Sequence, residues 1–413
     1  MITSVSVRTA LLSLTFPIIY NILAAMSRPL DGLVVADLSR VLAGPLATQT
    51  LADLGATVVK VERPGSGDDT RSWGPPWTAR GSAYFDSANR SKWSVALDLD
   101  DPDDLAVCHR LVGRADVLVE NFRVGSLAPY GLDPASTTAR WPRLVHCSIT
   151  GFGSAGGARL PGYDFVVQAL GGLMSLTGEP DADPQKVGVA LVDVLTSKDA
   201  VVGILAALRQ RESTGTGRVV EVNLLQSLLA SLVNQAGTYL ATGVSPSRRG
   251  NEHPSIAPYE TLRCADGLLA VACGNDGQFA RLCQAVGMPE VAADPRFADN
   301  PARVASRREL RTLLESGLAT ATATEWESRL TSVGVPAGQV QDVADGFALA
   351  TALGLAPLVP VEGTDDSLVA HPVTYSDFAP APARRPPALA EHDQMVRDWL
   401  AGPDRPLRPK GTP

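Results

Sequence analysis

The segment from Gly32 to Glu62 leaves the chain few folds to choose from. GLVVADL (32–38) is a short, β-branched run of the kind that forms a strand buried on both faces. Gly44 to Leu54 then carries apolar residues at helical spacing and ends at Gly55, which suits a left-handed C-cap. TVVKVE (57–62) reads as a second strand, closed by the turn-forming run Arg63-Pro64-Gly65-Ser66-Gly67-Asp68. Strand, helix and strand in about 30 residues make a βαβ unit, the opening of a parallel, doubly wound sheet.

The alternation continues downstream. Strands are predicted at Trp93–Leu99, Ala115–Glu120, Leu144–Ile149 and Arg218–Asn223, with helices at Pro102–Val112 and Ala200–Arg211. Leu224–Leu240 is predicted as one long helix, followed by a Ser-, Pro-, Arg- and Gly-rich loop over Gly243–Pro258. Thr261–Cys264 and Leu268–Cys273 flank Asp266-Gly267 as a hairpin, which opens a smaller α/β segment to residue 345. An extended Pro380–Pro387 stretch and a helix at Glu391–Leu400 close the chain. At 413 residues, two domains are the default.

A net charge of −8 argues against general nucleic-acid binding, which needs a basic surface to displace counterions. It leaves room for a phosphate-bearing small ligand, which a few arginines and helix N-termini can hold. The five cysteines form no CxxC and the five histidines no HExxH, so neither a redox pair nor a bound metal is expected. A reduced, cytoplasmic protein fits that usage. Residues 1–28 stand apart: Thr9–Ala25 is apolar but interrupted by Pro17 and Asn21. It reads as a signal-peptide core, a weak anchor, or sequence upstream of a true start at Met26. No other stretch is long and apolar enough to span a bilayer.

Two glycine motifs are weak. Gly65-Ser66-Gly67 completes neither GxGxxG nor a phosphate-loop lysine and reads as a turn. FGSAG (152–156) lacks the first glycine of a nucleophile elbow. The richest block is Gly162–Asp193, where a Thr177-Gly178 turn precedes Glu179, Asp181 and Asp183. Three acids between prolines form either a solvated turn or a carboxylate held rigidly for chemistry. Such a carboxylate can attack a thioester, and the displaced thiolate can re-attack the mixed anhydride, so the thioester's bond energy is kept. That requires backbone donors for the oxyanion and exclusion of water.

In several blocks the chain resembles the family III CoA-transferases, the CaiB/BaiF family that includes formyl-CoA and carnitine CoA-transferases. The blocks are LAGPLATQTLADLGATVVKVERPGSGDDTR (42–71), ADVLVENFRVGSL (115–127), GYDFVVQALGGLMSLTGEPD (162–181), GILAALRQRESTGTGRVVEVNLLQS (203–227), APYETLRCADG (257–267) and LAEHDQMVRDWL (389–400). The resemblance covers residues 29–400 and implies transfer of CoA from an acyl-CoA to a free carboxylic acid. It makes Asp181 the nucleophile that carries CoA covalently. It also implies CoA contacts from Leu42 and Ala43, Arg63, Leu97, Asp98, Leu99 and Asp100, then Asn121, Phe122 and Arg123, and finally Thr150, Gly151, Phe152 and Gly153. Ser255, Ile256 and Ala257 match a mobile, glycine-rich substrate loop of the family.

The implied fold is α/β: a Rossmann-like large domain built from both chain ends, a smaller α/β domain, and two subunits interlocked as rings. The expected layout is a large domain over 29–225, a linker helix and loop over 226–256, a small domain over 257–345, and a return to the large domain over 346–413. Three departures point to a different acid substrate: PSIAP (254–258) replaces the glycine run, Thr150 stands for a lysine, and Pro129 for an arginine. The α-methylacyl-CoA racemases of the same family are a second reading. Their histidine is Tyr163 here, a poor proton shuttle, although Asp193 stands where their aspartate would. A non-catalytic CoA-binding subunit is a third. The βαβ opening alone also suggests an NAD-dependent dehydrogenase, against which the missing GxGxxG argues. Cys147, Cys264, Cys273 and His146 read as core, and Asp164 as an acyl-pocket residue or a helix cap.

Overall fold

The structure is a computed structural model that describes residues 28–376 and 383–403, with Phe378 and Leu407. The N-terminal extension before Arg28, most of the tail after Pro403, and residues 380–382 of the proline-rich stretch lie outside the described residues.

Six parallel strands form the main sheet: β1 (Val34–Asp37), β2 (Thr57–Glu62), β3 (Lys92–Ala96), β4 (Val117–Glu120), β5 (Val145–Thr150) and β6 (Val219–Asn223). Their order is β3-β2-β1-β4-β5-β6, and Val35 pairs with both Val58 and Val117. Helices cover the sheet, so Val35, Val58, Val59, Val117, Leu118 and Val119 are fully buried, which is why the strands read as unbroken apolar runs. The chain reverses direction across the sheet between β1 and β4, and such a switch point opens a crevice at the strands' carboxyl ends.

The connecting helices include α1 (Ala43–Asp53), α2 (Pro102–Arg114), α3 (Asp164–Leu170), α4 (Leu191–Thr214) and α5 (Leu224–Ser231). Local signals explain α2: Asp101 accepts from the Asp103 and Asp104 amides, and Pro102 occupies the first turn. They do not explain α4, which starts nine residues before the predicted Ala200. Asp164, from α3, caps it by accepting from the amides of Val192 (2.7 Å) and Asp193 (3.3 Å). Predicted to reach Leu99, β3 ends at Ala96, where Asp98 folds back to accept from the Asp100 amide. The long helix predicted over Leu224–Leu240 is two, α5 and Val233–Thr242. They are separated at Val233, whose φ of 40° is left-handed and interrupts the ladder.

The chain end returns to this sheet. Val396, Trp399 and Leu400 of the helix Asp393–Ala401 share a core with Ala36, Val95 and Leu118. The exposed edge of β3 is covered there: the Ser91 amide donates to Arg384 O, the His392 amide to Ser94 O, and the Ala96 amide to the Asp393 carboxylate.

The chain divides into two compact units. Among the described residues, one comprises those from Arg28 to Gly171, Gly188–Ala236 and those from Ala356 on; the other comprises Gly172–Val187 and Gly237–Leu355. The second is wider than the expected 257–345, and it includes the TGEPD turn (177–181). Its antiparallel sheet has β7 (Tyr259–Arg263), β8 (Leu268–Ala272) and β9 (Ala337–Gln339), with β8 central. Helices bury Leu262, Leu269, Phe279, Leu314, Trp326 and Leu330 against it. Among the described residues no helix is long and apolar enough to cross a membrane.

Candidate active site

A buried ionic layer shapes the carboxyl end of β1. Asp37 is fully buried and accepts from the Ser39 amide (3.0 Å), the Ser39 and Thr48 hydroxyls (2.5 and 2.7 Å), and Lys92 Nζ (3.0 Å). Burial opposes its charge, but Lys92 and Lys60 more than offset this and hold its pKa at about 2. Lys60 Nζ donates to Ser39 O and to Asp68, both at 2.9 Å. Asp68 in turn receives the Val41 amide at 3.3 Å. Val41 has φ 69°, a conformation a β-branched residue adopts only when its surroundings impose it. The β1–α1 loop is therefore cast into one shape.

Two clefts open above it in the first unit. One, of about 400 Å³, is lined by Arg63, Leu97, Asp98, Leu99, Asp100 and Tyr130. The other, of about 540 Å³, is lined by Leu42, Ala43, Asn121, Arg123, the Thr150–Gly153 loop and Asp193. Arg40 and Phe122 line both. Every CoA-contact residue implied by the resemblance thus lies on one of two adjoining clefts.

Specific bonds place several of them. Asn121 spans the switch point, accepting from the Arg40 amide (2.8 Å) and donating to Arg40 O (2.7 Å). The Phe122 amide donates to Glu120, and the Arg40 guanidinium lies 5.1 Å over the Phe122 ring. Arg40 Nε is buried with no hydrogen-bond partner among the described residues, an orphan donor that suits an anionic ligand. Helix α1 opens without a side-chain cap, and its first residues, Leu42 and Ala43, line the second cleft. Arg63 is half exposed and pairs with Asp69 at 2.5 Å, a solvent-screened contact it can leave at little cost. Tyr130 donates to Asp100 at 2.7 Å across the first cleft.

The Thr150 loop depends on bare backbone. Thr150 Oγ1 accepts from the Gly153 amide at 3.0 Å, and a Cβ on Gly151 would stand 2.5 Å from Gly162 Cα. Gly151→Ala must therefore push two backbones apart. Binding of CoA, measured by calorimetry, is expected to weaken about tenfold or more, because overpacking costs about 1–3 kcal/mol.

Asp193, in the first turn of α4, borders the same cleft. Burial, and then the Asp164 carboxylate, push its pKa up to about 7. The facing Tyr84 is pushed to about 12 by burial and by Asp193 and Asp164. Because the folded value lies above 3.8, the folded protein holds an extra proton between pH 3.8 and 7, and this contribution to stability fades as pH rises through that window. Above pH 7 a negative charge appears in the cleft. The KM for a free acid is expected to rise with pH above 7, approaching tenfold per unit if the acid needs the neutral form. Asp193→Asn should flatten that profile; an unchanged slope would refute the assignment.

In the second unit, Asp181 is exposed on the turn that starts at Thr177. Thr177 Oγ1 donates to Leu173 O, the Gln185 amide closes onto Thr177 O, and Gly178 has φ 113°. The Ser255–Ala257 loop is held carbonyl by carbonyl. Asn300 donates to Ser255 O (2.8 Å), Arg307 to Ile256 O (2.8 Å), and Arg303 to Ala257 O (2.8 Å). In the loop that the resemblance implies is mobile, all three carbonyls are hydrogen-bonded.

Three contributors were absent from the sequence expectations. Arg40 follows β1 and Asp68 follows β2, and both come to the same crevice only because those strands are adjacent, although Arg40's position just after the first strand was a usable signal. Arg248, described below, lies in what read as a plain loop.

The family model described as CoA-transferase family III matches residues 30–393. The chain belongs to that family. This family III CoA-transferase is 43% identical to the succinate–glutarate CoA-transferase of Agrobacterium fabrum, over 92% of this chain and 98% of that one. It is 39% identical to the acetyl-CoA:oxalate CoA-transferase of Acetobacter aceti, over 91% and 97%. A CaiB/BaiF family protein from Brucella suis shares its fold with a TM-score of 0.83 at 45% identity, covering 91% of this chain and all of that one. The family assignment carries with it that this chain is a CoA-transferase.

Proposed function

We propose that the enzyme moves CoA from an acyl-CoA to a free dicarboxylic acid through a covalent aspartyl-CoA thioester on Asp181. The observation that carries this reading is the gathering of every expected CoA contact along two adjoining clefts that share Arg40. The adenosine lies in the Arg63–Asp100 cleft, and the pantetheine passes Asn121 to the Thr150 loop. Arg40 Nε and the open N-terminus of α1 meet the pyrophosphate.

The chemistry balances without a proton transfer. A carboxylate oxygen of Asp181 attacks the thioester carbonyl; the C–S bond breaks and CoA thiolate leaves a mixed anhydride. The thiolate attacks the Asp181 carboxyl carbon, the C–O bond breaks, and the first acid departs as its carboxylate. The acceptor carboxylate then runs both steps in reverse. The substrate class is supported by the two relatives, whose names specify succinate, glutarate and oxalate. A homodimer of interlocked subunits accounts for the exposed apolar side chains of Val233, Leu240, Val343 and Leu353.

The test is thioester exchange, followed by mass spectrometry, between succinyl-CoA and a panel of free mono- and dicarboxylic acids. Exchange with dicarboxylates supports the reading. No exchange with any acid, together with α-deuterium uptake by a 2-methylacyl-CoA in heavy water, would overturn it in favour of racemisation.

A further inference from the structure

The segment Arg248–Ala257 connects the nucleophile turn to the substrate loop inside the second unit. At one end Arg248 Nε donates to Glu179 O (3.2 Å), and its terminal nitrogen donates to Ala182 O (2.7 Å) and Pro180 O (3.5 Å). The Gly250 amide donates to Gly178 O at 3.0 Å. Gly250 has φ 58°, a left-handed conformation that glycine adopts without strain. At the other end are the carbonyls held by Asn300, Arg303 and Arg307.

We propose that Arg248 is a positioning residue of the covalent step: by holding the carbonyls on both sides of Asp181, it fixes the backbone that carries that carboxylate and leaves the Asp183 amide free two residues on. The argument is peptide geometry. In a trans peptide the C=O and N–H point in opposite directions. With Ala182 O turned to the guanidinium, the Asp183 N–H faces away from Arg248. No protein partner for that amide is found among the described residues. It lies two residues beyond Asp181 and makes no hydrogen bond to that carboxylate in the free enzyme, so it is a donor still to be used. When thiolate attacks the Asp181 carboxyl carbon, the oxyanion forms on that side chain, where a nearby unpaired backbone amide on a turn held still can stabilise it. The backbone bonds of the turn close it at Thr177, Gly178 and Glu179, and among the described residues only the Arg248 side chain reaches Pro180 O and Ala182 O on either side of Asp181; lysine would supply a point charge without the planar fork.

This rests on the aspartyl-CoA reading. In single turnovers with stoichiometric succinyl-CoA, the rate of CoA attachment is read by intact mass. Arg248→Ala is expected to slow attachment about 10²-fold, the scale of a misplaced group or lost oxyanion donor, with the KM for acyl-CoA and the affinity for free CoA within about twofold. Arg248→Lys should fall between, and added methylguanidinium should recover part of the Arg248→Ala rate; neither is expected of a residue that only maintains the fold. If Arg248→Ala does not fold, Arg248→Lys carries the test alone. Attachment at the unaltered rate, or a loss wholly in KM, overturns the proposal. Absence of any adduct in the unaltered enzyme overturns the aspartyl-CoA reading and this one with it.

Discussion

Asp181→Ala is expected to reduce CoA transfer by at least about 10⁴-fold, the scale seen when a covalent nucleophile is removed. The loss should fall on kcat, because none of the bonds that place the two clefts passes through this side chain. Asp181→Asn should be equally inert: an amide is isosteric, but it lacks the anionic oxygen that forms the anhydride. Asp181→Glu keeps the charge and moves it by one methylene on a turn that Arg248 holds still. A misplacement of about 1 Å costs about 10²-fold, so it should retain a trace of activity. Hydroxylamine should release CoA from the unaltered enzyme after exposure to acyl-CoA and from none of the three variants but the glutamate. Retention of a substantial fraction of transfer by Asp181→Ala would place the nucleophile elsewhere. Glu179 and Asp183 are the neighbours to examine next.

The second large effect concerns stability. Lys92→Met leaves Asp37 buried with its hydroxyl donors but without its adjacent cation, and breaking a buried pair in this way costs about 3–5 kcal/mol. The pair Asp37→Asn with Lys92→Met should recover much of that loss, since no buried charge of that pair is then left uncompensated. Chemical denaturation of the single and double variants measures both. The pH dependence follows from the same group. The folded pKa of Asp37, about 2, lies below its ordinary 3.8. Its contribution is complete above pH 3.8 and is lost as pH falls through 2. The site should suffer as well, because Asp37 holds Ser39, Ser39 O holds Lys60, and Lys60 holds Asp68, which holds the strained Val41 between the two clefts.

How much of this was legible in advance varied with the range of the interactions. β2 was predicted residue for residue, because a β-branched run between Gly55 and a proline–glycine turn has one local solution. The α2 start was equally legible, since Asp101 and Pro102 cap it from within the segment. The α4 start was not, because its cap, Asp164, comes from another helix. Nor was the break at Val233, where apolar periodicity runs on without a glycine or proline to mark it. Among site residues, those expected to touch CoA line two adjoining clefts. Arg40 and Asp68 were overlooked because their significance depends on neighbouring strands rather than neighbouring positions.

The amino-acid sequence by itself determined the parallel α/β sheet and the family, because each rests on patterns contained within short segments or on blocks repeated in order, whereas the strand order and its switch point came from the fold. The tertiary structure alone decided that lysines 60 and 92 belong to a buried ionic layer rather than to a surface, and that an arginine some 70 positions downstream holds the TGEPD turn. Burial and hydrogen-bond partnership between distant segments are properties of the packed chain, and a side chain's charge acquires its role only from what folding removes from water beside it.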